Sequence, residues 1–74
     1  MKLIPKGTNH NEVVINDAVT VFFSYQTPVA AHVNGVFYRT AKKWSVTTSK
    51  HINKWLDGIS ATNKPQEWFD ALAA

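Results

Sequence analysis

Five cationic side chains lie in a central part of the chain that contains no acidic residue. The interval between Asp17 and Asp57 has no Asp or Glu, and the whole chain has a net charge of +3. The cations of this interval are Arg39, Lys42, Lys43, Lys50 and Lys54. A block of one sign attracts polyanions, and lysine and arginine neutralise the phosphates of nucleic acids. These five residues are therefore the predicted phosphate contacts.

The stretch KKWSVTTSKHINKWL, residues 42–56, predicts a helix whose first turn is rich in hydroxyl groups. Thr47 or Thr48 can cap the free N–H groups, and Gly58 suits the left-handed position after the helix. Donors at a helix start suit a phosphate oxygen. The alternative is that the lysines are only the solvent-exposed face of a capped helix. An apolar stripe at helical spacing is formed by Ile52, Trp55, Leu56 and Ile59.

Residue types that serve catalysis or metal binding do not form a recognisable pattern. His10, His32 and His51 lack the spacing of a metal site. Ser49 and His51, two positions apart on a helix, point to different sides. The chain has no cysteine, and its three glycines are isolated rather than grouped in a phosphate loop. We therefore expect no catalytic residue, no metal and no cofactor, and a protein that is not an enzyme.

The segment AHVNGVFY predicts a tight hairpin. Asn34-Gly35 between β-prone residues favours a two-residue type I′ turn, because both positions need positive φ. This alignment places His32 opposite Phe37. The preceding segment VTVFFSY predicts another strand, and a turn at residues 26–28 would place Val21 opposite Val33.

In that register, one face of the sheet carries a row of Phe22, His32 and Phe37 across three strands. Aromatic residues beside cations stack unpaired bases in several small domains, so Phe22 and Phe37 are candidate stacking surfaces. The same row, with Trp44 in the following loop, is a candidate protein-interaction surface. Burial of the row in the core or in a homodimer is the third interpretation.

These elements predict a small α+β domain. We expect an antiparallel meander of three to four strands, with one or two C-terminal helices packed on one face. Residues 1–74 form one domain, with residues 1–11 as a flexible N-terminal segment. No apolar run reaches the length of a transmembrane helix, and no signal peptide is recognisable, so we expect a cytoplasmic protein without a membrane partner.

Residues 22–56 resemble a small domain of unknown function found in many bacteriophage and some bacterial proteins. The resemblance is carried by Phe23-Ser24-Tyr25, Thr27-Pro28-Val29-Ala30, Phe37-Tyr38-Arg39-Thr40, Lys43-Trp44-Ser45, Thr47-Thr48-Ser49, His51-Ile52-Asn53 and Trp55-Leu56. It implies a phage or prophage origin and action in the host cytoplasm. It implies no catalytic or binding role for any residue.

Two functional hypotheses follow. The first is a non-catalytic module that contacts DNA or RNA through the basic loop and helix. The alternative is a protein-interaction or inhibitor module, such as an anti-defence protein, that binds a host or defence protein through the aromatic row.

Overall fold

A computed structural model of the chain describes residues 2–7 and 9–73. Within these residues the chain forms six strands and two helices. The elements are β1 (Lys2–Gly7), β2 (His10–Asn16), β3 (Val19–Ser24), β4 (Thr27–Val33), β5 (Val36–Thr40), α1 (Val46–Leu56), β6 (Thr62–Lys64) and α2 (Gln66–Leu72).

The strands of the described residues form one six-stranded sheet in the order β1-β2-β3-β4-β5-β6. The first five strands pair antiparallel, and β6 joins the edge parallel to β5. The predicted antiparallel meander of three to four strands is therefore wrong, because the sheet is larger and mixed. Residues 2–7, expected in a flexible segment, pair with β2 as an edge strand.

The hairpin at Asn34-Gly35 is confirmed. Both turn residues have positive φ, 50° for Asn34 and 84° for Gly35. His32 lies opposite Phe37, as the turn predicts, and their rings stack with centroids 4.3 Å apart.

The connection between β3 and β4 differs from the predicted one, and Phe22 therefore pairs with a different residue of β4. Ser24 lies opposite Thr27 across a two-residue turn. Farther from the turn, the pairing shifts by one residue of β4 between Phe23, which lies opposite Pro28, and Phe22. This irregularity occurs beside Pro28, which has no N–H to donate to the sheet. Phe22 consequently faces Ala30, and the predicted row of Phe22, His32 and Phe37 is wrong. The residue opposite His32 is Thr20.

The two helices cover opposite faces of the sheet. Phe37 and Tyr38 are neighbours on β5, so their side chains point to opposite faces. Trp55 of α1 contacts Phe37 at 5.7 Å between ring centroids, whereas Trp68 of α2 contacts Tyr38 at 4.8 Å. The prediction that the helices pack on one face is therefore wrong.

Helix α1 begins and ends with identifiable caps. Ser45, rather than Thr47 or Thr48, is the N-cap, and its side-chain oxygen accepts a hydrogen bond from the Thr48 N–H. Asp57 at the C-cap is left-handed, and Gly58 follows with φ of 81°. The apolar face of α1 is buried in a cluster of Phe22, Val29, Ala30, Ile52 and Leu56. Neither α1 nor α2, the helices of the described residues, is long and apolar enough to cross a membrane.

Candidate functional site

A groove of about 410 Å³ brings together part of the predicted basic surface. It lies where the end of β5, the loop 41–45, the start of α1 and β6 meet. We call it the basic groove; its lining consists of Arg39, Thr40, Ala41, Lys42, Lys43, Trp44, Val46, Ser49, Ile52 and Asn63. Among these described residues there is no acidic side chain, so the three cations are not offset within the groove.

The fold fixes two of these three cations. Arg39 donates a hydrogen bond from Nη1 to Asn53 Oδ1 of α1 at 3.2 Å. The Lys42 ammonium lies over the Trp44 ring, 4.3 Å from its centroid. Lys43 is exposed in the loop beside them. A charge held in place loses less conformational freedom when it binds a ligand.

Lys50 and Lys54 lie outside the basic groove. Both are exposed on α1, and Lys54 lines a different recess together with two histidines. Their predicted role in phosphate binding stays a prediction, because neither residue is in the lining of the basic groove.

Phe22 is not available as a stacking surface, and Phe37 is partly covered. Phe22 is 1% exposed and stacks under Trp55 with ring centroids 5.1 Å apart. Phe37 is half-buried between His32 and the edge of Trp55. Helix α1 covers Phe22, since apolar side chains of a small domain gain free energy by leaving water. Phe22 is therefore corrected from a surface residue to a core residue. His32 and Phe37 stay partly accessible and line a recess of about 280 Å³, so their part in an interaction surface stays a prediction.

Trp44 is the aromatic residue that remains accessible beside the cations. Its side chain is 37% exposed, and it lines the basic groove. The indole Nε1–H donates to Gln66 Oε1 at 3.2 Å, which ties the ring to α2. The ring is thus held in one orientation while part of its surface faces solvent.

A second cluster of polar residues lies on the other side of α1, and the sequence did not indicate it. The ring centroids of His10 and His51 are 4.4 Å apart, and His51 Nδ1 is hydrogen-bonded to Ser24 Oγ at 2.9 Å. The two histidines line a recess of about 310 Å³, here called the histidine recess, with Phe22, Lys54, Trp55 and Asp57. Ser24 and His51 are 27 positions apart, so only knowledge of the sheet register could have paired them.

Acid groups that could complete a metal site with these histidines are not in place. Within residues 2–7 and 9–73, no group of three His, Cys, Asp or Glu side chains could hold a metal ion.

The environment of His51 in the histidine recess predicts that stability depends on pH. Burial, then the nearby His10, then Lys54 lower the pKa of His51 from its ordinary value of 6.5. As the pH falls below 6.5, the unfolded chain takes up a proton on His51 before the folded protein does. We therefore expect the free energy of unfolding to be greatest above pH 6.5 and to decrease as the pH falls toward the folded-state pKa.

Urea unfolding between about pH 5 and about pH 8 measures this dependence. His51→Gln removes the titrating group and should flatten the curve. A variant curve as steep as that of the wild type would contradict the assignment to His51.

Comparison with known proteins places the chain in a family without assigning it a function. No curated protein and no solved structure matches it. Residues 1–71 match a family described as a family of unknown function (DUF8033), so the match includes nearly the whole chain. The expectation of a domain family of unknown function is confirmed at this level. The chain belongs to the family of unknown function DUF8033.

Proposed function

We propose that this protein is a non-catalytic module that binds nucleic acid through the basic groove. The observation that carries the proposal is the grouping of Arg39, Lys42 and Lys43 around one groove whose described lining contains no acid. Cations of this kind attract a phosphate backbone and release its bound counterions, which favours binding at low salt.

The groove also offers neutral groups that can bind phosphate oxygens. The side chains of Ser49 and Asn63 line it next to the cations, from α1 and β6 respectively. Hydroxyl and amide donors commonly contact phosphate and sugar, and such contacts position the backbone without reading its sequence. The proposed binding is therefore weak and of low sequence preference.

The absence of catalysis is part of the proposal. Ser24, the hydroxyl nearest a histidine, is 2% exposed, and it also hydrogen-bonds Thr48. A nucleophile needs access to its substrate as well as a base, and this hydroxyl lies within a packed interface.

The alternative protein-interaction module loses part of its support. It depends on Phe22, His32 and Phe37 as an exposed surface, and α1 buries Phe22, so only the half-buried His32 and Phe37 remain to carry it. A homodimer that buries the same face loses the contribution of Phe22 for the same reason. We also propose a phage or prophage origin with action in the host cytoplasm, which rests on the resemblance carried by residues 22–56.

Salt dependence tests the groove directly. We expect the double variant Lys42→Ala/Lys43→Ala to bind labelled DNA or RNA more weakly than the wild type. The slope of log K against log salt should decrease in magnitude by about 1.4 on single strands and about 1.8 on duplexes, since each lost phosphate contact removes about 0.7 or 0.9. Fluorescence anisotropy between about 50 and about 200 mM salt measures both slopes.

The matched control is Lys2→Ala/Lys6→Ala, which removes the same charge from β1, at the edge of the sheet opposite β6. Its slope should stay closer to that of the wild type. Equal losses in the two double variants would mean that net charge, not the groove, governs binding. Wild-type protein that binds no oligonucleotide at low salt would refute the proposed function.

A further inference from the structure

A second depression lies beside Trp44, and it differs in chemistry from the basic groove. Its volume is about 230 Å³, and Trp44 lines both it and the groove. We call it the Trp44 recess. The aromatic side chains in its lining are Trp44 and Tyr25, and its hydroxyl groups come from Ser24, Thr27, Ser45 and Thr48.

We infer that the Trp44 recess accepts an unpaired nucleobase, so that the ligand of this protein is single-stranded nucleic acid; the inference rests on the proposed function. The recess is smaller than the roughly 300–1,000 Å³ pockets that hold drug-sized ligands, which suits one flat heterocycle. Aromatic side chains stack bases of any sequence, because every base has a π face.

The arrangement of charge around Trp44 matches the two parts of a nucleotide. Arg39, Lys42 and Lys43 line the groove but not the recess. A strand whose phosphates lie in the groove therefore meets an uncharged, aromatic and hydroxyl-lined space next to them. The Ser24 and Thr48 hydroxyls are buried and bonded to each other, so the accessible hydroxyls are those of Thr27 and Ser45. Hydroxyl groups both donate and accept hydrogen bonds, so these two tolerate the edges of different bases.

Trp44 is held as a preformed surface. Its Nε1–H donates to Gln66 Oε1, and Gln66 is itself anchored by donating from Nε2 to the Pro28 carbonyl at 2.7 Å. A ring that is already oriented loses little conformational entropy when a base stacks on it.

Tyr25 supplies an independent observation on the other aromatic side chain. It has φ of 58°, a left-handed conformation that is uncommon for bulky residues, and its side chain is 49% exposed. Glycine or asparagine would suit this two-residue turn better. Strained backbone positions cluster at ligand-binding sites, which supports a contact role for this exposed tyrosine.

A duplex cannot use the recess without disruption. Its bases are paired and stacked, and extruding one costs free energy that an already single strand does not spend. Single strands should therefore bind more tightly than duplexes of the same sequence, although duplexes carry the higher charge density.

The test compares single-stranded and duplex oligonucleotides by fluorescence anisotropy at low salt. We expect Trp44→Leu to weaken single-strand binding by about 5- to 150-fold, the range for one lost base–aromatic stack, and to lower the preference for single strands. Trp44→Phe keeps a stacking ring but, like Trp44→Leu, loses the hydrogen bond to Gln66. It should therefore retain most of the preference for single strands over duplexes.

The variant Tyr25→Asn separates a loss of binding from a loss of folding. Asparagine tolerates positive φ, so this variant should be at least as stable as the wild type while binding single strands more weakly. Equal affinity of the wild type for single strands and duplexes would overturn the inference and leave the proposed function standing. Equal losses in Trp44→Leu and Trp44→Phe would also overturn it. No binding to either form would refute the proposed function itself.

Discussion

Replacing Phe22 by alanine should lower the free energy of unfolding by about 3–5 kcal/mol, the usual cost of removing a buried phenyl ring. Phe22 is 1% exposed, stacks under Trp55 and belongs to the cluster that joins the sheet to α1. A domain of this size has a total stability of roughly 4–11 kcal/mol. The substitution should therefore remove a large part of the stability of the protein, as measured by urea or thermal unfolding followed by circular dichroism.

Leu3→Ala is the matched control for this prediction. Leu3 is also a large apolar residue on a strand, but it is 61% exposed. Its truncation should change stability by less than about 0.5 kcal/mol, as is usual for surface positions. If Phe22→Ala cost as little as Leu3→Ala, the phenyl ring would not be under α1, and the sequence-based interpretation of Phe22 as an exposed stacking surface would be restored.

The part of the fold that the sequence predicted correctly depends on local chemistry. Asn34-Gly35 accepts positive φ at two successive positions, and this alone fixes which residues of β4 and β5 face each other. The apolar spacing of Ile52, Trp55 and Leu56 likewise indicated the inner face of α1, and these residues pack on the core cluster. The fourth residue of the predicted stripe, Ile59, lies beyond the end of α1 and is 47% exposed, so its place on that face was wrong. Neither inference required knowledge of distant contacts.

The errors come from features that the local sequence does not encode. At the register shift beside Phe22, β4 has one residue more than β3. This extra residue changes which residues of the two strands lie opposite each other. The strand β6 is only three residues long and gains its place by pairing with β5. A strand of that length has no periodicity to read, so its parallel addition depends on the loop that follows α1.

The candidate site likewise has a part that the sequence predicted and a part that it did not. The absence of acids around Arg39, Lys42 and Lys43 is visible in the sequence, and the structure places these three residues around one groove. The sequence could not separate them from Lys50 and Lys54, because that division depends on the direction in which α1 leaves the loop. The Trp44 recess depends on Tyr25 in the β3–β4 turn and on Thr27 at the start of β4, and the sequence analysis predicted a different register for this connection.

Gln66 connects this candidate site to the stability of the fold. Its Oε1 accepts hydrogen bonds from Thr40 Oγ1 at 2.9 Å and from Trp44 Nε1 at 3.2 Å. Its Nε2 donates to the Pro28 carbonyl and to Asp70 Oδ1. Helix α2 has seven residues, too few to be stable alone, so contacts of this kind hold it on the sheet.

Gln66→Leu should therefore lower the free energy of unfolding by about 2–4 kcal/mol. Leucine keeps most of the side-chain volume but leaves the Pro28 carbonyl without this partner, at roughly 1–3 kcal/mol for an unsatisfied group. The buried Thr40 hydroxyl loses one bond, worth about 0.5–1.5 kcal/mol, and keeps the one that it accepts from the Lys42 N–H. Urea unfolding followed by circular dichroism gives the loss of stability. Under folding conditions, time-resolved fluorescence anisotropy should show faster motion of an indole, because Trp44 loses its tether.

Glu67→Gln is the control on the next residue of the same helix. Glu67 is exposed in the first turn of α2, so its replacement should change stability by less than about 1 kcal/mol, the largest usual contribution of a charge at a helix end. If Gln66→Leu were as mild as Glu67→Gln, then α2 would be held by Trp68 and Phe69 alone. Trp44 would in that case owe its orientation to the loop and to Lys42. If Gln66→Leu is costly and also reduces the preference for single strands, the same amide both holds α2 on the sheet and orients the ring proposed to stack the base.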